Sequence, residues 1–309
     1  MKKRILFLLF LVMPALILSG CAPVVGDKDI PENFSIYASF LPAYMLSDLI
    51  VTEDIPGMNL NLLIQPQDGC MRNYVLSDWD QYIAVNCDAV ILIGNGFESF
   101  EQGLMNLGEE GPSVISASSS LILDASYQTD NEESHLYGAN PWLFLSASGG
   151  LQLTEAIAAN MIALDPDYES VYIGNLKSAY EKFESLSESI LEVKSAVDYQ
   201  KRTALLHEGL IYIANDFALN VVTRIDRESG EYPDETSLSQ MLKTLEESNA
   251  EVVLIEKQAP KSLLEALRAT GYEIALIDTL SAGGAQNGAE AYFERMLENA
   301  RAIENAFKK

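Results

Sequence analysis

Basic residues are scarce in this sequence. Lysine and arginine number 20 against 45 aspartates and glutamates in 309 residues, a formal net charge of −25. Three of the basic residues lie at positions 2–4, so the chain that follows them carries a formal charge of −28. Such a surface repels nucleic acid and anionic lipid headgroups, and it suits a well-solvated exported protein. We therefore expect no nucleic-acid partner.

Long apolar runs are also scarce. The one at the N-terminus, "ILFLLFLVMPALIL" (5–18), follows "MKKR" and precedes "SGC". A basic segment followed by an apolar stretch too short to span a bilayer is typical of a secretory signal peptide. "LSGC" (18–21) resembles the bacterial lipobox, which implies cleavage before Cys21 and lipidation of that cysteine. The chain would then be extracytoplasmic and anchored to the bacterial cell membrane; the alternative is a plain signal peptide with a chance cysteine.

Cysteine is rare as well, with three in the chain. An oxidising compartment favours a disulfide between the remaining two, Cys70 and Cys87. Cys70 follows the carboxyl end of one predicted strand, whereas Cys87 begins the next. In a parallel sheet the two thiols lie at opposite ends, roughly 15–20 Å apart, beyond the ~7 Å Cα limit for a disulfide. We predict two free thiols.

The rest of the chain alternates predicted strands and helices. Strands such as "CDAVILIG" (87–94) and "EVVLIE" (251–256) are almost wholly apolar, which indicates parallel sheets covered on both faces. The predicted fold class is α/β, with two lobes that each contain a mostly parallel sheet flanked by helices. The predicted organisation is a signal peptide (1–20), a tether (21–33), an N-terminal lobe (34–164), a long linking helix (165–197) and a C-terminal lobe (198–309).

The linking helix is predicted from apolar residues spaced three and four apart across residues 165–197, a stretch with only one glycine. At 1.5 Å per residue it would extend about 45 Å, enough to run across both lobes. Its buried face is predicted to contain Tyr172, Leu176, Tyr180, Phe183, Leu186, Ile190 and Val193 or Val197.

Four segments carry a family resemblance. "GCMRNYVLSD" (69–78) stands where a "PHxY/FEP" type loop follows the second strand, with Tyr74 as the aromatic residue. "NPWLFLSA" (140–147) matches a "DPHVWLDP" type stretch, and "HEGLIYIANDFAL" (207–219) matches "HxAFGYLAxxYGL". Glu256 followed by "LIDTLS" (276–281) matches a strand-end glutamate followed by "LDPLG". Together they resemble the solute-binding lipoproteins of zinc and manganese ABC importers over nearly the whole mature chain.

The resemblance implies four metal ligands. The third and fourth fall on His207 and Asp278, residue types that bind zinc or manganese. The first and second fall on Arg72 and Trp142. Neither can coordinate a cation through its side chain, because arginine has no free lone pair and the indole nitrogen only donates.

Three hypotheses follow from this pattern. In the first, no zinc or manganese is bound tightly: Arg72 pairs with Asp278 and Trp142 fills volume, or the two grip a different solute. In the second, Cys70 or His135 joins His207 and Asp278 in a rebuilt zinc site. In the third, the protein is an adhesion or scaffold lipoprotein without transport.

Other polar residues near these positions admit a structural and a functional interpretation. Glu208 could support His207, or it could be favoured simply because it begins a helix. Glu256 could orient a ligand or make a structural hydrogen bond. His135 lies among acidic residues and suits a solvated surface.

No serine or cysteine lies in a recognisable nucleophile motif, and the family that the chain resembles catalyses no reaction. We therefore expect that the protein is not an enzyme. The resemblance implies a monomer that captures a solute between two lobes and delivers it to an ABC permease. The movement on binding would be small, because a long helix resists bending.

Overall fold

Eight short strands form two parallel sheets in the computed structural model, which describes residues 34–66, 74–123, 139–225, 233–282 and 288–308. Each sheet has four strands, in the orders β2-β1-β3-β4 and β6-β5-β7-β8, and every pairing is parallel. The strands are β1 Phe34–Ala38, β2 Met58–Leu62, β3 Ala89–Leu92, β4 Ser113–Ser116, β5 Arg202–Leu205, β6 Asn220–Arg224, β7 Val252–Glu256 and β8 Glu273–Ile277. The predicted α/β fold with two sheets is confirmed.

Helices cover these sheets, and two of the four central strands, β3 and β7, are buried at every residue. The α-helices are α1 Leu41–Ser47, α2 Asp78–Asn86, α3 Glu101–Met105, α4 Ala147–Leu164, α5 Glu169–Ala196, α6 Leu210–Asp216, α7 Glu235–Glu247, α8 Lys261–Ala269 and α9 Gly288–Ala306. Within the described ranges, none is both long and apolar enough to cross a bilayer. The exact lobe boundaries stay a prediction.

The long linking helix is present as α5, with 28 residues, about 42 Å at the usual rise. It begins later than predicted, because a short 3-10 turn at Pro166–Tyr168 precedes it. Proline has no N–H group to continue a helix and is favoured where one begins. Tyr180 was predicted to be buried and is 43% exposed; Ala179 is buried in its place, between Tyr172 and Phe183.

The last helix connects the two halves of the chain. α9 packs against α1, α5 and β8. At its N-terminus the Ala289 N–H donates to the Asp48 carboxylate at 2.8 Å, which satisfies one of the unpaired amides of a helix start. Further along, the Tyr292 hydroxyl donates to the Phe144 carbonyl at 2.9 Å. These contacts fix the C-terminal helix to the N-terminal half of the protein.

Cys87 is buried and free, as predicted. Burial raises the pKa of its thiol to about 11, which leaves the thiol protonated and unreactive at neutral pH. Cys70 and Cys21 lie outside the described residues.

Candidate functional site

Three of the predicted site residues lie at the carboxyl ends of neighbouring strands. His207 comes two residues after β5, Glu256 is the last residue of β7, and Asp278 directly follows β8. Leu205 pairs with Leu254, and Glu256 pairs with Ile277. Extending the first register by two residues places His207 level with Glu256. This edge of a parallel sheet is where α/β proteins place their ligands.

Trp142 reaches this edge from the other half of the chain. It begins a 3-10 turn, Trp142–Leu145, just before α4, and it is 1% exposed. Its indole N–H donates to Glu208 Oε1 at 3.0 Å. Its ring also meets the His207 ring edge to face, with centroids 4.4 Å apart. The structure therefore brings Trp142, His207 and Glu208 into direct contact.

Asn140 fixes this junction, and sequence reasoning had given it no role. Its side-chain N–H donates to the Glu208 backbone carbonyl at 2.9 Å, and its side-chain oxygen accepts a hydrogen bond from the Trp142 backbone N–H at 3.2 Å. The Tyr212 hydroxyl donates to the Asn140 carbonyl at 2.6 Å. Because Asn140 is completely buried, these bonds are made away from water and hold the two segments in register. Its place at the start of "NPW" was the available signal.

Gly209 is required by the close approach of the indole. A Cβ atom at this position would lie 2.6 Å from Trp142 Cγ, well inside van der Waals contact. On its other faces the indole meets Phe97 and Phe144, with centroids 5.0 and 5.4 Å away. Trp142 is thus the centre of an aromatic cluster rather than a side chain lining open space.

The tautomer of the neutral His207 ring follows from its hydrogen bond. The Gly209 N–H donates to His207 Nδ1 at 3.1 Å, so this nitrogen supplies a lone pair. In the neutral imidazole the proton is then on Nε2. That tautomer presents an N–H group, not a lone pair, from Nε2.

Asp278 is held by a residue that sequence reasoning missed. Arg295 of α9 makes a bidentate salt bridge to it, with Nε 3.0 Å from Oδ2 and Nη2 2.6 Å from Oδ1. The Leu280 N–H also donates to Oδ1 at 2.8 Å, and the ammonium group of Lys257 lies 3.9 Å from Oδ2. The carboxylate is 8% exposed and the guanidinium 14%, so this is a charge-assisted pair largely shielded from water.

The opposite sheet also places a buried acid at its carboxyl edge. Glu98 accepts hydrogen bonds from the Ser39 hydroxyl at 2.6 Å and from the amides of Ile93 and Gly94 at 2.9 and 3.0 Å. Burial raises the pKa of this carboxyl, and the three hydrogen bonds oppose the shift. Glu98 joins the ends of β1 and β3 and contributes to the framework of the site.

The remaining predicted residues, Arg72, Cys70 and His135, lie outside the described residues. The hypothesised pairing of Arg72 with Asp278 and the rebuilt zinc site therefore stay predictions. In the part of the chain that the structure describes, no three histidine, cysteine, aspartate or glutamate side chains are grouped so that they could hold a metal ion.

Comparison with known protein families gives a match over most of the chain. The family model for zinc-uptake complex component A, a periplasmic protein, matches residues 36–306. No curated protein matches the chain by sequence.

Solved structures share the fold. The solute-binding protein FpvC of Pseudomonas aeruginosa in complex with Mn²⁺ aligns with a TM-score of 0.77 at 22% identity, over 89% of this chain and 98% of that one. The laminin-binding protein Lmb of Streptococcus agalactiae, with adhesin and metal-transporting activity, gives 0.71 at 19%, over 89% and 100%. The metal-dependent lipoprotein YcdH of Bacillus subtilis gives 0.69 at 19%, over 89% and 99%.

Proposed function

This chain belongs to the zinc-uptake complex component A family, and from that premise we propose that it is the extracytoplasmic solute-binding lipoprotein of an ABC importer. It is anchored through a lipid on Cys21, takes up its solute between two lobes, and passes it to a membrane permease. Its cleft does not hold zinc or manganese tightly. The family consists of solute-binding proteins, and we assign no catalytic activity to this member.

One observation carries the proposal about the cleft: the Asp278 carboxylate is already paired with the Arg295 guanidinium. Both oxygens of this carboxylate accept hydrogen bonds from the guanidinium, so a zinc ion would have to compete with a bound positive charge for the lone pairs that remain. The positive charges of Arg295 and Lys257 would also repel a divalent cation at this position.

The other ligand positions support the same conclusion. The Trp142 indole N–H is a donor and is directed at Glu208. His207 uses Nδ1 as an acceptor for the Gly209 amide, so its neutral ring carries the proton on Nε2. Zinc binding would require either a new tautomer of His207 or loss of its hydrogen bond from Gly209, and it would have to overcome the charge of Arg295 at Asp278. The residues present therefore do not fit a tightly held zinc ion.

Metal analysis and thermal melts of the purified mature protein test this proposal. At a ligand concentration 1,000 times its Kd, binding stabilises a protein by about 4 kcal/mol, which corresponds to roughly 8–16 °C in Tm for a domain of 150–250 residues. We expect no rise of this size with zinc or manganese, and substoichiometric metal after dialysis. Stoichiometric metal that survives dialysis would refute the proposal.

A gain-of-function variant tests the ligand assignment itself. Arg72→His and Trp142→His restore the imidazoles that the resemblance places at these positions, and a third change, Arg295→Gln, releases the Asp278 carboxylate. The triple variant should show a zinc-dependent rise in Tm. Trp142→Phe, which keeps an aromatic ring without a metal ligand, is the matched control for loss of packing. If the triple variant is folded and ignores zinc, the assignment of these positions is wrong.

The anchor is tested separately by cell fractionation. Cys21→Ser should move the protein from the membrane fraction to the soluble extracytoplasmic fraction. Retention in the membrane fraction would contradict lipidation at this residue.

A further inference from the structure

Exposed apolar residues are concentrated on one surface of the N-terminal half. Among the described residues, eleven large hydrophobic side chains are exposed, and five of them fall within residues 75–107. The three most exposed of the five are Val75 at 84%, Trp79 at 67% and Tyr82 at 59%. Single exposed apolar residues are common on proteins, but clusters of them mark interaction surfaces.

A groove lies beside these residues, between α2 and α3. It encloses about 470 Å³, enough to accept several apolar side chains. Its apolar lining includes Tyr74, Val75, Leu76, Val85, Phe100 and Leu104. We call this the α2–α3 groove. A groove between two helices is a common receptor for an amphipathic segment, which inserts its apolar face.

Trp79 and Tyr82 form a platform next to the α2–α3 groove. Their rings are stacked, with centroids 5.7 Å apart and planes 20° from parallel. Tyr82 precedes Val85 of the groove by three residues, so the two lie on neighbouring positions of the same helix surface. Tryptophan and tyrosine are enriched among the residues that dominate binding energy at protein interfaces.

The negative charge around this groove favours a basic partner. Residues 34–164 contain 16 acidic residues and one basic residue, Arg72, and residues 74–123 contain no basic residue. Asp78 is exposed in the first turn of α2, and Glu109 and Glu110 are exposed shortly after Leu107, which also lines the groove. An acidic rim around an apolar groove complements a basic partner, whereas it repels anionic bilayers and nucleic acid.

We propose that the α2–α3 groove docks a cationic amphipathic segment of a protein partner. The segment places its apolar side chains in the groove and against Trp79 and Tyr82, and its lysines or arginines face the acidic rim. The N-termini of α2 and α3 lie at the carboxyl edge of their sheet, the kind of edge on which the candidate site is built. The inference does not depend on what the cleft binds.

Fluorescence of Trp79 provides a direct readout. The chain has two tryptophans, and Trp142 is buried. A shift of the emission when a peptide binds at the surface therefore reports on Trp79. The probes are three 14-residue peptides: one of leucine and lysine in amphipathic order, one with glutamate in place of lysine, and one with glutamine in place of leucine. They are titrated into the mature protein at 150 mM salt, with titration calorimetry as a second measurement.

We expect the leucine–lysine peptide to bind and to shift the Trp79 emission to the blue. By calorimetry, its affinity should fall at least tenfold in the Trp79→Ala/Tyr82→Ala variant. The control variant Tyr180→Ala/Tyr199→Ala removes two tyrosines that are 43% and 44% exposed elsewhere, and it should change the affinity less than twofold. The other two peptides should bind at least tenfold more weakly.

Three results would overturn the inference. Equal binding of the glutamine–lysine peptide would show attraction by net charge alone. Equal loss of affinity in the two variants would show that the groove is not the site. A blue shift with phosphatidylcholine vesicles and none with the leucine–lysine peptide would identify the surface as a membrane contact instead.

Discussion

Replacement of Arg295 by glutamine should cost the protein about 3 kcal/mol of unfolding free energy. Removing one member of a buried ion pair leaves the other charge without its partner, which typically costs 3–5 kcal/mol. The lower end applies here because the Leu280 N–H, 2.8 Å away, and the Gln258 side chain, 3.3 Å away, still donate to Asp278. Urea unfolding followed by circular dichroism measures the change.

The matched control is Arg202→Gln. Arg202 pairs with Glu251 at 3.3 Å, but both side chains are nearly half exposed, so its loss should cost less than about 1 kcal/mol. Arg295→Gln should also release the Asp278 carboxylate, so that zinc raises the Tm of this variant more than that of the unmodified protein. If the two glutamine variants are equally stable, the proposed hold of Arg295 on Asp278 is refuted.

Three further predictions concern other parts of the fold. Gly209→Ala should destabilise by about 1–3 kcal/mol, because its methyl group would lie 2.6 Å from the buried indole; Gly174→Ala, with open space around it in α5, should stabilise by about 0.5–1 kcal/mol. Burial raises the pKa of Asp216 from 3.8 to about 6, so the folded protein loses stability as this carboxyl ionises between about pH 4 and pH 6. Asp216→Asn cannot ionise, so its free energy of unfolding should exceed that of the unmodified protein by up to about 3 kcal/mol as pH rises through this window. Urea unfolding across pH measures the difference. In a Cys70→Ser background, Cys87 should resist alkylation at pH 7 until urea unfolds the protein, and rapid labelling of the folded form would contradict its burial.

The architecture was predictable because it depends on periodicity. Apolar runs flanked by polar turns indicate the strands, and a short run rich in β-branched residues such as "VVLIE" is typical of a central strand in a covered sheet; the structure buries it at every position. The long helix was predictable for the same reason. Its buried face was placed almost correctly, but Tyr180 was assigned to it in place of Ala179, because a pattern based on hydrophobicity favours the larger side chain when both positions fit the spacing.

The site was only half predictable. His207 and Asp278 follow strand ends, and that position is visible in the sequence. Arg295 is not, because its contact with Asp278 depends on the angle at which α9 packs against β8, which no local pattern encodes. The same holds for Trp142: the sequence shows that it cannot be a metal ligand, whereas its hydrogen bond to Glu208 is a tertiary contact across 66 residues.

The cap that Asp48 provides for α9 affects the order in which the protein can be completed. The Asp48–Ala289 hydrogen bond joins residues 241 positions apart, so the face of α1 that packs against α9 stays uncovered until α9 has formed and docked.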